Sequence, residues 1–170
     1  MGNKLYYTLL TVLALLFCTI AYCFASNTYY SGTCVRVLDG DTIDVADESQ
    51  NLHRIRIIGI DAQELSQPYG KIAKDALADM ILRKEVKILP SGIDKYNREL
   101  ASIRLDTRIG QLDVAETMVS EGHAFDWGGQ YYKAQSYAQE NHLGVWQDTK
   151  YQERPWFYRR RMALEHGKAY

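Results

Sequence analysis

From Tyr29 to Ile60 and again from Glu85 to Leu105 polar turns divide the chain into short β-branched and aromatic runs, a spacing that suits a small β-structure. Tyr29 to Leu38 reads as a strand, Asp39-Gly40 as a tight turn, and Thr42 to Ala46 as a returning strand. After the turn Asp47 to Asn51, a third strand runs from Leu52 to about Ile60. Period-two alternation puts Arg54, Arg56 and Ile58 on one side of it and Ile55, Ile57 and Gly59 on the other. Arg56 is thereby expected on a rigid element close to Asp61. Glu85 to Leu89 forms a fourth strand, ended by Pro90-Ser91-Gly92, and Leu100 to Leu105 a fifth, with the turn Asp94 to Asn97 before it.

Three stretches carry the other periodicity. Pro68-Tyr69-Gly70 opens a helix to about Leu82, in which Ile72, Ala73, Ala76, Leu77, Met80 and Ile81 recur at three- and four-residue intervals. A turn around Asp106 to Gly110 leads to a second helix over Val114 to Val119, stopped by Gly122. Tyr131 to Glu140 makes a third, with Gly144 ending it and Val145-Trp146 packing back. Five strands and three helices predict an α+β fold, a five-stranded Greek-key barrel of the oligonucleotide-binding type.

The first 25 residues stand apart. Lys4 precedes an apolar run from Leu5 to Ala25 with no Asp or Glu, and Cys23-Phe24-Ala25 precedes Ser26. This pattern predicts a signal peptide cleaved after Ala25, with an uncleaved membrane anchor as the alternative; either route exports the domain. Residues 26–146 are then a barrel domain and residues 147–170 an aromatic and basic tail. Of three cysteines only Cys34 lies beyond the apolar run, so an internal disulfide in the exported domain is excluded and Cys34 is expected in a strand core. A net charge of −1 argues against a protein that coats nucleic acid by many phosphate contacts.

Charged residues concentrate in Asp39-Gly40-Asp41-Thr42, in Arg54 to Glu64, and in Asp94-Lys95-Tyr96-Asn97-Arg98. Carboxylates opposed by guanidiniums suit hydrolysis of a phosphodiester, in which a metal polarises a phosphoryl oxygen and fixed cations stabilise transition-state charge. The order and spacing of these pieces resemble the staphylococcal nuclease-like proteins over about residues 30–146. The resemblance is carried by Asp-Gly-Asp-Thr, by Arg-x-x-x-x-Asp-x-x-Glu from Arg56 to Glu64, by Asp-Lys-Tyr-x-Arg ending at Arg98, and by Leu143-Gly144-Val145-Trp146. A tail like Pro155 to Arg159 occurs in some bacterial members.

The resemblance implies a calcium-dependent endonuclease that cuts DNA and RNA to 3′-phosphate and 5′-hydroxyl ends. It implies Asp41, Asp61 and the carbonyl of Ala62 as ligands of Ca²⁺, Glu64 as the carboxylate that orients or deprotonates water, and Arg56 with Arg98 on the phosphate. Lys95 and Tyr96 match a phosphate-binding segment or define its rim, and Tyr131 and Tyr132 are candidates for base stacking or, equally, for packing against the last helix. Asp39 and Asp94 are expected as supports, and Arg54 as solvent-facing or paired with an acid.

This chain departs from the family pattern at Gln63, where proline commonly precedes the glutamate; a looser approach to Glu64 is expected. It departs again in the short, lysine-poor segment between Glu64 and Tyr69, and at Ala115, which stands in place of a polar residue. Two alternatives accompany the nuclease reading: an oligonucleotide-binding protein with weak or lost catalysis, and an interaction module using the tail. Arg159 to Arg161 are expected as a solvated basic end, with contact to nucleic acid as the alternative, in a monomeric protein.

Overall fold

The computed structural model describes residues 29–167, together with Tyr7, Leu10 and Val12. The apolar segment predicted as signal or anchor lies outside the described residues, apart from those three positions. Among the described residues no helix is long and apolar enough to cross a membrane.

The five expected strands are present as β1 (Tyr30–Val37), β2 (Thr42–Asp47), β3 (Leu52–Ile57), β5 (Glu85–Ile93) and β6 (Glu99–Thr107). Three short ones join them: β4 (Ile60–Asp61), β7 (Gly110–Asp113) and β8 (Phe125–Asp126). The large sheet has the order β3-β2-β1-β5-β6-β7, and a parallel β3–β6 pairing, Ile55↔Glu99 to Ile57↔Ala101, closes five strands into a barrel. The fold is thus an oligonucleotide-binding-type barrel with flanking helices α1 (Gly70–Ile81), α2 (Val114–Ser120), α3 (Tyr132–Glu140) and α4 (Pro155–Glu165).

Four differences from the sequence reading have local causes. The third strand stops at Ile57, because Gly59 at φ 78° turns the chain before β4. β5 continues past Leu89 to Ile93, absorbing Pro90 at a register shift between Pro90 and Gly92, where a residue without an N–H is tolerated. The stretch expected as a turn before α2 forms a hairpin, β6–β7, whose last residue Asp113 caps α2 by accepting from the Glu116 amide at 3.1 Å. Ile72, expected to face inward, is 45 % exposed, and α1 buries Ala73, Leu77 and Ile81 instead.

The barrel interior is apolar and closed. Ile43, Val45, Ile55, Ile57, Ile88 and Ile103 are fully buried, and Leu77, Ile81 and Met118 cover them from the helices. Val145 is buried with them, and Trp146 meets Phe125 edge-on at 5.3 Å, the packing expected of the Leu143 to Trp146 segment. In β3 the alternation holds, with Ile55 and Ile57 inside and Arg54 and Arg56 outside.

Ile55→Ala removes a fully buried side chain and is expected to cost about 2–5 kcal/mol, read as a lower denaturation midpoint. Cys34 is fully buried, and burial pushes its thiol up to about 11. At pH 8 Cys34 is expected to resist iodoacetamide in the native protein and to be alkylated at once in the denatured protein, as mass spectrometry of the Cys34 peptide would read.

Candidate active site

The site begins with the turn between β1 and β2. Asp39 braces it by accepting the Asp41 amide at 3.0 Å, and the Leu38 amide donates to the Thr42 carbonyl at 2.9 Å. A Cβ on Gly40 would stand 2.6 Å from the Ala62 methyl and 2.9 Å from that of Ala73, so only glycine lets the turn lie against β4's exit and α1. The close approach lets the Ala62 amide donate to Asp41 Oδ2 at 2.8 Å, joining residues far apart in sequence.

Sheet register places the first guanidinium. Arg56 pairs with Thr42 of β2 on one side and Leu100 of β6 on the other. Its Nη2 lies 3.1 Å from Asp41 Oδ2 and 3.3 Å from Asp61 Oδ1, and its Nη1 donates to the Ile57 carbonyl at 2.6 Å. One nitrogen therefore bridges the two carboxylates expected as metal ligands. Both are buried, Asp41 at 6 % and Asp61 at 3 % exposed. Burial pushes the Asp41 carboxyl up, to about 7, against the opposing pull of Arg56.

The second guanidinium comes from the β5–β6 turn. Asp94 Oδ1 accepts the amides of Tyr96 and Arg98 at 2.8 and 2.9 Å, while its Oδ2 takes Arg98 Nε at 2.7 Å. Asn97 sits at φ 60°, a conformation that asparagine tolerates. Asp94 is thus the support that aims Arg98, whose Nη1 reaches to 3.5 Å from the Thr42 hydroxyl. Tyr96 is 68 % exposed, with the Lys95 ammonium 5.1 Å and the Arg98 guanidinium 5.5 Å from its ring centre.

These residues meet at one cavity of about 630 Å³, lined by Asp39, Asp41, Arg56, Glu64, Lys95, Tyr96, Arg98 and Arg159. Asp61 lies behind this lining, covered by Arg56 and Arg159. Tyr131 and Tyr132 do not line it. Tyr131 is buried, with its hydroxyl donating to Asp113 Oδ2 at 3.1 Å, and so presents no face for a base. Tyr132 is 58 % exposed elsewhere, beside Lys133. Arg54 is occupied by Asp44, whose carboxyl Arg54 and Arg36 hold below the usual range, and it does not line the cavity. Ala115 is fully buried on the inner face of α2.

Two expectations are overturned. Gln63 is not a looser joint than proline. It is 1 % exposed, its Nε2 donates to the carbonyls of Tyr151 and Glu153 at 2.6 and 3.1 Å, and its Oε1 accepts the Tyr69 amide at 2.8 Å. Proline has no side-chain donor for the first two bonds and no acceptor for the third.

Arg159 is not a solvated tail residue either. Its guanidinium donates to both Asp61 oxygens at 3.1–3.2 Å and to Glu64 Oε1 at 2.7 Å. Of the expected basic end, only Arg160 and Arg161 stay peripheral, stacked on Trp156 and paired with Glu153. The recurrent Pro-Trp-aromatic-x-Arg tail was the only sequence signal for Arg159, and it does not reveal the target.

Among the described residues no group of three or more His, Cys, Asp and Glu side chains is gathered that could hold a metal ion. The donors present are nevertheless all oxygen, two carboxylates and a backbone carbonyl, the chemistry a hard divalent cation requires, and guanidinium charge already stands against the carboxylates.

The fold and site together define a closed barrel of the oligonucleotide-binding class with carboxylates and guanidiniums around one cavity. Residues 54–148 match the staphylococcal nuclease homologue family. The chain is 38 % identical over 145 residues to "Micrococcal nuclease" of Shigella flexneri, covering 77 % of this chain and 81 % of that one. It is 32 % identical over 143 residues to "Protein ParB" of Escherichia coli, covering 76 % and 78 %. It is 31 % identical over 148 residues to an "Uncharacterized endonuclease" of Haemophilus influenzae, covering 83 % and 79 %. The chain belongs to the staphylococcal nuclease family, and this membership supports a nuclease-type hydrolytic activity on nucleic acid.

Gln63→Ala leaves the Tyr151 carbonyl and the Tyr69 amide without their side-chain partner. It is expected to lower unfolding free energy by about 2–3 kcal/mol and to expose residues 148–165 to early proteolysis, read by denaturant titration and limited digestion.

Proposed function

We propose that the chain is a calcium-dependent endonuclease, exported from the cell, that hydrolyses single-stranded or locally opened DNA and RNA to 3′-phosphate and 5′-hydroxyl products. The observation that carries this reading is the convergence of Arg56, Arg98, Glu64 and Asp41 on one cavity, from β3, the β5–β6 turn, the β4–α1 loop and the β1–β2 turn.

Asp41, Asp61 and the Ala62 carbonyl would hold the cation, whose chemistry is to polarise a phosphoryl oxygen. The chain's own residues do the rest. Glu64, half exposed at the cavity wall, takes a proton from the water that attacks phosphorus. Arg56, fixed between two carboxylates and a carbonyl, and Arg98, fixed by Asp94, offer guanidinium donors to the non-bridging oxygens as charge builds there. As the new P–O bond forms, the bond to the 5′ oxygen breaks. Solvent protonates that oxygen, because a guanidinium does not give up a proton at working pH. Lys95 and Tyr96, at the exposed rim, meet the flanking nucleotides.

The full chain is expected to cut a fluorescent oligonucleotide in calcium and to stop in chelator, with E64Q slowing turnover by roughly 100-fold, the usual scale for removing a general base. Mass spectrometry of the fragments should show 3′-phosphates. Cleavage that survives both chelator and E64Q would defeat the proposal. R56K is expected to lower kcat more than it raises KM, because a lysine cannot reproduce the bidentate fork in the transition state. A pure KM effect would remove Arg56 from that role.

A further inference from the structure

The loop that carries Glu64 is built jointly with the C-terminal tail. Gln63 donates to the carbonyls of Tyr151 and Glu153, and Gln67 Nε2 donates to the Glu153 carbonyl at 3.0 Å. The Tyr158 hydroxyl bonds Ser66 Oγ at 2.8 Å. Gln67 serves both partners, since its Oε1 also accepts the Glu64 amide at 2.9 Å. Gly70 closes the loop so tightly that a Cβ there would stand 1.8 Å from the Glu64 carbonyl oxygen.

The tail is itself held in place. Arg161 pairs with Glu153 at 3.0 Å, Pro155 is buried at the first turn of α4, and the Arg154 guanidinium lies 5.4 Å from the centre of the Phe125 ring. These contacts set the direction in which α4 leaves, and that direction delivers Arg159 to Glu64. Among the described residues, Arg159 is the one side chain hydrogen-bonded to the Glu64 carboxylate, and it holds Oε1 while Oε2 stays available to water.

We propose that Arg159 is a positioning residue for Glu64, and that helix α4 is a brace without which the short Glu64 loop is not preorganised. The inference rests on the reading of Glu64 as the water-handling carboxylate. A glutamate on a surface loop keeps most of its rotamer freedom. Here a guanidinium bonded also to the buried, immobile Asp61 fixes the carboxylate relative to the barrel. Bidentate donation from a planar fork suits this bridging, and a lysine can satisfy only part of it. In this chain tertiary bonds to the tail supply the rigidity that proline at position 63 would supply locally.

The test compares full-length wild type, R159Q, R159K and E64Q. In calcium with a fluorescent single-stranded oligonucleotide, R159Q is expected to lower kcat by roughly 100-fold, the scale of a small misplacement of a catalytic group, with KM within about threefold. R159K should recover part of that loss. In metal-free protein, amide exchange over residues 63–67 should quicken about tenfold in R159Q and less in R159K, while the barrel strands keep wild-type protection, which shows that the variant has folded. Unchanged exchange over 63–67 overturns the proposal whatever the activity. So does faster cleavage or tighter calcium binding by R159Q in calorimetry, which would make Arg159 a competitor of the cation. E64Q that cleaves as well as wild type removes the water-handling role of Glu64, and wild type that does not cleave removes the nuclease reading; in either case the exchange measurement decides the brace.

Discussion

Asp41 and Asp61 are 6 % and 3 % exposed, and carboxylates so placed survive as charges only where cationic donors stand against them. Arg56 meets both, and Arg159 donates to both oxygens of Asp61. The rest of the site is arranged around that neutralisation. The Ala62 amide completes Asp41, Glu64 shares Arg159, and Arg98 stands opposite with its own carboxylate, Asp94. Deleting one partner of such a set exposes the others to an uncompensated charge, so its members act as a unit.

The barrel makes this arrangement possible by supplying positions that cannot drift. Arg56 is held in register by strands on both sides, including the parallel pairing that closes the barrel. Gly40 then allows the Asp41 turn to approach Ala62 at a distance no side chain would tolerate. Groups held on such elements or on braced turns need little reorganisation when charge develops nearby. Glu64 lies on a loop whose bonds run to the C-terminal tail.

Much of the fold was legible because its signals are local. The alternation of Arg54, Ile55, Arg56 and Ile57, the turn at Asp39-Gly40 and the apolar face of α1 each lie within a few residues. Errors fell where a non-local pairing overrides the local pattern. Pro90 should end a strand, yet a register shift against β6 keeps the ladder going, and the β6–β7 hairpin forms where composition alone predicts a turn. In the site, motif spacing located Asp41, Arg56, Asp61, Glu64 and Arg98, which the structure gathers at one place. Between stacking and packing the local sequence does not choose for Tyr131, because an aromatic beside an exposed one gives no sign that its hydroxyl is buried against Asp113.

The sequence by itself determined the strands, the residue types of the acidic and basic halves, and the chemistry they are fit for, because strand period, turn propensity and motif spacing act over short separations. Only the tertiary structure decided what Gln63 and Arg159 do. Gln63 reaches carbonyls at Tyr151 and Glu153, and Arg159 reaches Asp61 and Glu64, across separations of nearly a hundred residues. No periodicity encodes such a contact. It exists because the barrel, α4 and the Glu64 loop pack so that a buried carboxylate and a tail guanidinium each find in the other the partner that burial demands.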